Sequence, residues 1–133
     1  MRKSWSDGTT MSTKIFNHAC FVDEATSSIY VVGGYDDHGN RLNSTEMWNS
    51  GQNSWQPSAN FPDAISGSSA VSSNGNKFVG YMAGVWAGKA YYSEDIFGLR
   101  RRDMTWIKMN KTMKTGRYGH SLLNIPAKQV LGC

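Results

Sequence analysis

The chain has 133 residues, 39% of them hydrophobic and 12% aromatic, with 14 Gly, 3 Pro and 2 Cys; that is enough to bury one ordinary core, and it excludes a disordered or collagen-like chain and a disulfide scaffold. Fourteen Lys and Arg against ten Asp and Glu give 14 − 10 = +4. The excess gathers around Arg100, Arg101, Arg102, Lys108, Lys111, Lys114 and Arg117 without the dense stripe or motif of a nucleic-acid binder, so no nucleic-acid partner is expected.

No apolar run resembles a signal peptide or reaches the length of a membrane span, and a cytoplasmic protein with no membrane partner is the default. Asn43-Ser44-Thr45 and Asn110-Lys111-Thr112 are glycosylation triplets that matter only in a secreted protein.

Short apolar and aromatic runs bounded by Gly, Asn, Ser and Asp recur along the chain, and no window keeps the i, i+3, i+4 spacing of a helix. The fold class is all-β. Strands are expected in HACFVD (18–23), SIYVVGGY (28–35), STEMW (44–48) and NSWQP (53–57), linked by the turn-rich EATS, DDHGNRLN and NSGQ. Four such strands in succession make an antiparallel meander. Cys20, inside the first run, is expected to be a small buried hydrophobe.

A shift of 51 residues places Ala19 on Ala70, Tyr30 on Tyr81, Gly33 on Gly84, Tyr35 on Trp86 and Trp55 on Trp106. A second shift carries Ser69 onto His120, which makes His18 and His120 equivalent two units apart with Ser69 between them. The residues that match are aromatics and glycines, whose geometry is hardest to replace. Trp5 reads as the last landmark of an earlier unit, and QVLGC (129–133) falls on the second strand of a later one. The expected organisation is therefore the end of a preceding unit in 1–12, whole units in 13–64 and 65–115, and the start of the next in 116–133.

A four-stranded unit of this length, with apolar residues leading into Gly-Gly, an aromatic next and a Trp near the end, resembles the kelch repeat. The residues that carry the resemblance are His18, Tyr30, Gly33, Gly34, TEMWNSGQNSW (45–55), Tyr81, Gly84, Trp106 and His120. The second unit departs from the pattern, with Val85 in place of the second glycine and Gly98-Leu99 where the first has Met47-Trp48. The resemblance implies antiparallel four-stranded blades of an incomplete β-propeller. Tyr30, Trp55 and their repeat partners should then pack between adjacent blades, because one twisted sheet cannot hide both faces. Two whole blades leave two apolar faces open, so the chain is expected to be part of a larger protein or to self-associate through those faces.

Arg100, Arg101 and Arg102 fall in the turn between the third and fourth strands of the second unit. Like charges in a tight hairpin repel unless they point to solvent or meet an acidic partner, and of the two, solvent is expected.

Candidate chemistry is sparse. The repeat equivalence of His18 and His120 favours a structural role over a ligand or a base. His38, beside Asp36 and Asp37, has the composition of a hairpin turn and lacks the alternating ligand spacing of a calcium loop. Gly33, Gly34 and Gly84 follow strands but open no helix, so they are not phosphate loops. GxSxG and HExxH are absent, and no catalytic residue, metal site or cofactor is expected.

By resemblance, the function is protein binding, as the recognition part of a larger adaptor or scaffold such as a ubiquitin-ligase substrate receptor or an actin-associated protein. A galactose-oxidase-like copper enzyme is the rival reading, for which no useful Tyr, Cys and His spacing is visible, and a self-assembling structural piece is the third. In kelch propellers partner peptides lie on the loops from the second to the third strand and from the fourth strand to the next blade. Here those loops carry Arg41, Trp86, Lys89, Tyr91, Tyr92 and Arg117, cations and aromatics suited to an acidic or extended peptide. Arg117, in RYGH just before a first strand, is the strongest of these candidates.

Overall fold

The computed structural model describes residues 3–84 and 93–125. Every regular element is a strand: β1 (Ile15–Phe16), β2 (Ala19–Asp23), β3 (Ser28–Val32), β4 (Tyr35–Asp36), β5 (Thr45–Asn49), β6 (Ser54–Pro57), β7 (Ser69–Ser72), β8 (Phe78–Ala83), β9 (Asp95–Arg100) and β10 (Thr105–Thr112). Two four-stranded antiparallel sheets, β2-β3-β5-β6 and β7-β8-β9-β10, each run in chain order, and β1 pairs with β4 as a short separate ribbon. The all-β expectation holds, and each apolar run of the first unit becomes a strand.

Side-chain alternation explains how the sheets meet. On the first sheet Phe21, Tyr30, Met47 and Gln56 form one cross-strand row, and its neighbour Val22, Ile29, Trp48 and Trp55 points to the opposite face. On the second sheet Ser72, Gly80, Leu99 and Trp106 form the row that faces Phe21, and Val71, Tyr81, Gly98 and Ile107 point to the opposite face. Phe21 stacks on Tyr30 at 5.1 Å and meets Trp106 edge-on at 6.2 Å. A Cβ on Gly80 would stand 2.5 Å from the Phe21 ring, so the absent side chain at Gly80 makes the socket that Phe21 fills. Phe61, from the link between the sheets, closes the core against Phe97 and Trp106. The buried cluster of Ala19, Phe21, Tyr30, Val32, Phe61, Ile65, Val79, Met82, Leu99 and Trp106 thus lies between the two sheets.

The 51-residue period is kept in the pairings of the last three strands. Tyr30 opposite Met47 becomes Tyr81 opposite Gly98, and Trp48 opposite Trp55 becomes Leu99 opposite Trp106. The first strand departs by one residue. Val32 pairs with Ala19, but its counterpart Ala83 pairs with Ser69, so Ala19 corresponds to Ser69 and not to Ala70. The hairpin of the second unit is one residue longer, and a bulge between Phe78 and Gly80 lies on its second strand. The residue equivalent to His18 is consequently Ser68, not Ser69.

Two further features repeat. Trp106 Nε1 donates to the Ala59 carbonyl at 3.0 Å, and Trp55 Nε1 donates to the Thr9 carbonyl at 2.9 Å. Asn17, Gly67 and Gly119, each one residue before the His18, Ser68 and His120 positions, have φ of 57, 63 and 63°. They are bonded in series, with Gly67 N–H to Asn17 O at 3.1 Å and Gly119 N–H to Gly67 O at 2.8 Å. Each unit is therefore tied to the next by backbone at the entrance to its first strand.

Two further expectations are corrected. Cys20 is exposed, because alternation along β2 turns Ala19, Phe21 and Asp23 inward and Cys20 and Val22 outward. Of the three arginines, only Arg102 points mainly into solvent, at 77% exposed. Arg100 forms a two-bond pair with Asp103, at 2.9 and 2.6 Å, and Arg101 forms another with Asp23, at 2.7 and 3.0 Å. Asp23 is 3% exposed and belongs to the first sheet, so the second pair joins the sheets. An acid 78 residues away resolves the repulsion in the turn.

Candidate functional site

In a meander the links between second and third strands and those leaving the fourth strand emerge at one end of the sheet, opposite the hairpins. The β3-to-β5 link, the β6-to-β7 link and the segment after β10 therefore share an edge. Glycines shape it. Gly33 and Gly34, with φ of 65 and 93°, turn the chain off β3, and their amides donate to Ser44 O at 2.9 Å and Ile65 O at 2.8 Å. A Cβ on Gly33 would stand 2.6 Å from both the Ile65 carbonyl and its Cγ1. The fully buried Ile65 can press in only because the strand ends without side chains. Gly84 ends β8 in the same way at φ 69°, with the Arg117 carbonyl and the His120 ring in the place of its missing side chain.

Arg41 stands on this edge, held in one orientation. Its Nη2 donates to the Tyr35 hydroxyl at 2.8 Å, its Nε to the Ser66 hydroxyl at 3.2 Å, and its guanidinium carbon lies 5.3 Å from the Tyr35 ring centre. Tyr35 stacks on Phe16 at 5.4 Å across the β1–β4 ribbon. Hydrogen bonding, first with Ser66 and then with Arg41, lowers the pKa of the Tyr35 phenol below the ordinary tyrosine value. Phe16 and Tyr118 expose more than half of their surface, and the Tyr118 ring borders Gly67. The edge thus presents a braced cation among aromatic rings, a surface that can hold an extended chain by stacking and by bonds to carboxylate.

Arg117 is exposed, and its Nε donates to the Thr115 carbonyl at 3.3 Å. It lies on the same edge as Arg41 but on the segment after β10, against the second sheet. Trp86, Lys89, Tyr91 and Tyr92, the other binding candidates, fall outside the described residues. Phe16, Tyr35, Ser66 and Tyr118 were not among the expected binding residues. Their only sequence signal was Tyr35 itself, the aromatic after the glycines, because the β1–β4 ribbon that brings Phe16 to it is two residues long on each side.

His18 sits by Gly34, where its backbone amide and Cβ would be 3.1 Å from an added Cβ. His120 has both ring nitrogens buried, and among the described residues neither has a hydrogen-bond partner. Burial first, and the charge of Arg117 second, lower its pKa below the ordinary histidine value. Asp36, Asp37 and His38 bring ligand atoms within 4.8 Å of one another. The Asp36 carboxylate is already engaged by the His38 and Asn40 amides, at 2.9 and 2.8 Å, and by the Asn40 side chain at 2.9 Å. These bonds close a turn of the kind the composition indicates.

Among the described residues no helix is long and apolar enough to cross a membrane. A family model for the kelch motif matches residues 26–62, which take in β3, the glycine turn, β5, β6 and the start of the inter-sheet link. No curated protein matches the chain. Residues 26–62 thus match the kelch motif, and every regular element among the described residues is an antiparallel strand. Kelch motifs build blades of β-propellers, which commonly serve as protein-interaction modules.

Proposed function

We propose that this chain is a protein-binding module that takes an extended, acidic segment of a partner protein along the edge bearing Arg41 and Arg117. The observation that carries this reading is the braced Arg41–Tyr35–Phe16 group beside Ser66, a cation and stacked rings fixed before any partner arrives, on the loop edge of a kelch-motif sheet. Pre-fixing limits the entropy lost on binding. Arg117 supplies a second cation on the same edge, and Trp86, Lys89, Tyr91 and Tyr92 lie between β8 and β9 in the sequence. The parent role is that of a recognition unit within an adaptor or scaffold, a ubiquitin-ligase substrate receptor or an actin-associated protein, in the cytoplasm. No catalytic step is assigned to it.

An arrayed library of synthetic peptides graded in acidic content, probed with the full chain and with Arg117→Ala, tests the reading. Retention should rise with Asp and Glu content and fall about tenfold for the best peptides when Arg117 is lost, the equivalent of ~1.4 kcal/mol for one charge-assisted contact. Retention independent of acidity, or identical for the variant, overturns the role of Arg117. Arg117 suits this test better than Arg41, because Arg41 also holds Tyr35 and Ser66 in place.

A further inference from the structure

At the hairpin end of the sheets, away from the loop edge, Asn76, Lys77, Arg100, Arg101 and Arg102 line a cleft of about 450 Å³. We propose that this cleft is an anion site that takes one phosphate monoester, carried on a phosphorylated side chain of a partner peptide.

The cleft is built by two turns fastened together, since the Arg101 amide donates to the Lys77 carbonyl at 2.9 Å. Its cations are not a loose surface run. Arg100 and Arg101 each give two hydrogen bonds to one carboxylate, Asp103 and Asp23 respectively, which sets the plane of each guanidinium. A guanidinium so engaged keeps further N–H groups, already oriented, for a second acceptor, and little conformational freedom remains to be lost. Arg102 adds a mostly exposed guanidinium 4.0 Å from Asp103, and Lys77 holds its ammonium 5.7 Å from the Phe78 ring centre.

Charge selects the ligand. Four cations line the cleft or its wall, and two carboxylates, Asp23 and Asp103, pair with them, so 4 − 2 leaves an excess of +2. A phosphate monoester carries about −1.5 to −2 at neutral pH, which matches that excess. Glu24 lines the neighbouring cavity with Arg101, not this cleft, so the anion should sit toward Lys77 and Arg102. A cleft this size suits one group and not a strand, since nucleic acid needs cations spaced along a track.

The test uses the full chain at low ionic strength with four probes: a fluorescent phosphoserine peptide, its unphosphorylated twin, inorganic phosphate as competitor and single-stranded DNA of mixed sequence. The phosphopeptide should bind saturably by anisotropy and the twin should not. The double variant Lys77→Ala/Arg102→Ala should weaken binding tenfold or more with its melting temperature little changed, because both side chains are exposed. Inorganic phosphate should compete only weakly, since it lacks the peptide's contacts. Equal competition by inorganic phosphate overturns the peptide as the source and reassigns the cleft to small phosphates. Saturable binding by neither the phosphopeptide nor inorganic phosphate, or unaltered binding by the double variant, overturns the site. So does single-stranded DNA of mixed sequence that binds more tightly than the phosphopeptide.

Discussion

Replacing Asp23 by Asn removes the one described ion pair that spans the two sheets. The Asp23 carboxylate accepts from Arg101 at 2.7 and 3.0 Å, from the Thr26 hydroxyl at 2.7 Å and from the Ala25 amide at 3.2 Å, and it is 3% exposed. Asn keeps an oxygen for the turn but loses the charge and sets an amide against the guanidinium. Breaking a fully buried pair costs about 3–5 kcal/mol. Arg101 is 28% exposed and can rehydrate, so the expected cost is lower, about 2–3 kcal/mol. At ~3–5 °C per kcal/mol for a domain this size, melting should fall by roughly 6–15 °C.

The sign with pH follows from the direction of the shift. The hydrogen bonds from Arg101, chiefly, hold the Asp23 carboxyl below its ordinary value against the opposing effect of burial. Its stabilisation is thus complete above the unfolded value, ~3.9, and is lost as pH falls through the lower folded value. Urea unfolding followed by circular dichroism, on Asp23→Asn, Arg101→Met and the double variant, should give a coupling of ~1–2 kcal/mol at pH 7 that shrinks in strong acid. A coupling below ~0.3 kcal/mol at pH 7, the size of ordinary additivity error, would refute the claim that this pair fastens the sheets.

Gly33→Ala should be destabilising by about 2–4 kcal/mol, from ~1–2 kcal/mol for a left-handed φ at a residue with Cβ and ~1–2 kcal/mol for pushing back the Ile65 backbone. Gly39→Ala also has a positive φ but open space around it, and should cost only the first part; equal losses in chemical denaturation would show that close approach of Ile65 is not what Gly33 permits. The ring nitrogens of His120 are buried with no hydrogen-bond partner among the described residues and its pKa is lowered, so the unfolded chain takes up its proton first. Stability should therefore fall as pH drops below ~6.5 toward the lower folded value, and level off beneath it. His120→Leu should flatten that part of a melting-temperature profile, and an unchanged slope would assign the dependence elsewhere.

The strands of the first unit could be read in the sequence because each is a short apolar run stopped by turn residues, and both signals are local. The 51-residue period was legible for the same reason, since aromatics and glycines recur wherever the same pairing does, as Tyr30 and Tyr81 or Trp55 and Trp106 do. Three things depended on contacts between residues far apart in the chain. An extra residue in one hairpin offset Ser69 against Ala19, a matter of pairing that composition does not carry. Alternation along β2 put Cys20 outside, which was decided when Phe21 found the socket at Gly80. Arg101 found Asp23 across the sheet interface, where a charge that looked repulsive among its neighbours became a fastening. Local preference sets where a strand begins and ends; which face it buries, and which distant charge it meets, follow only once a second sheet lies against the first.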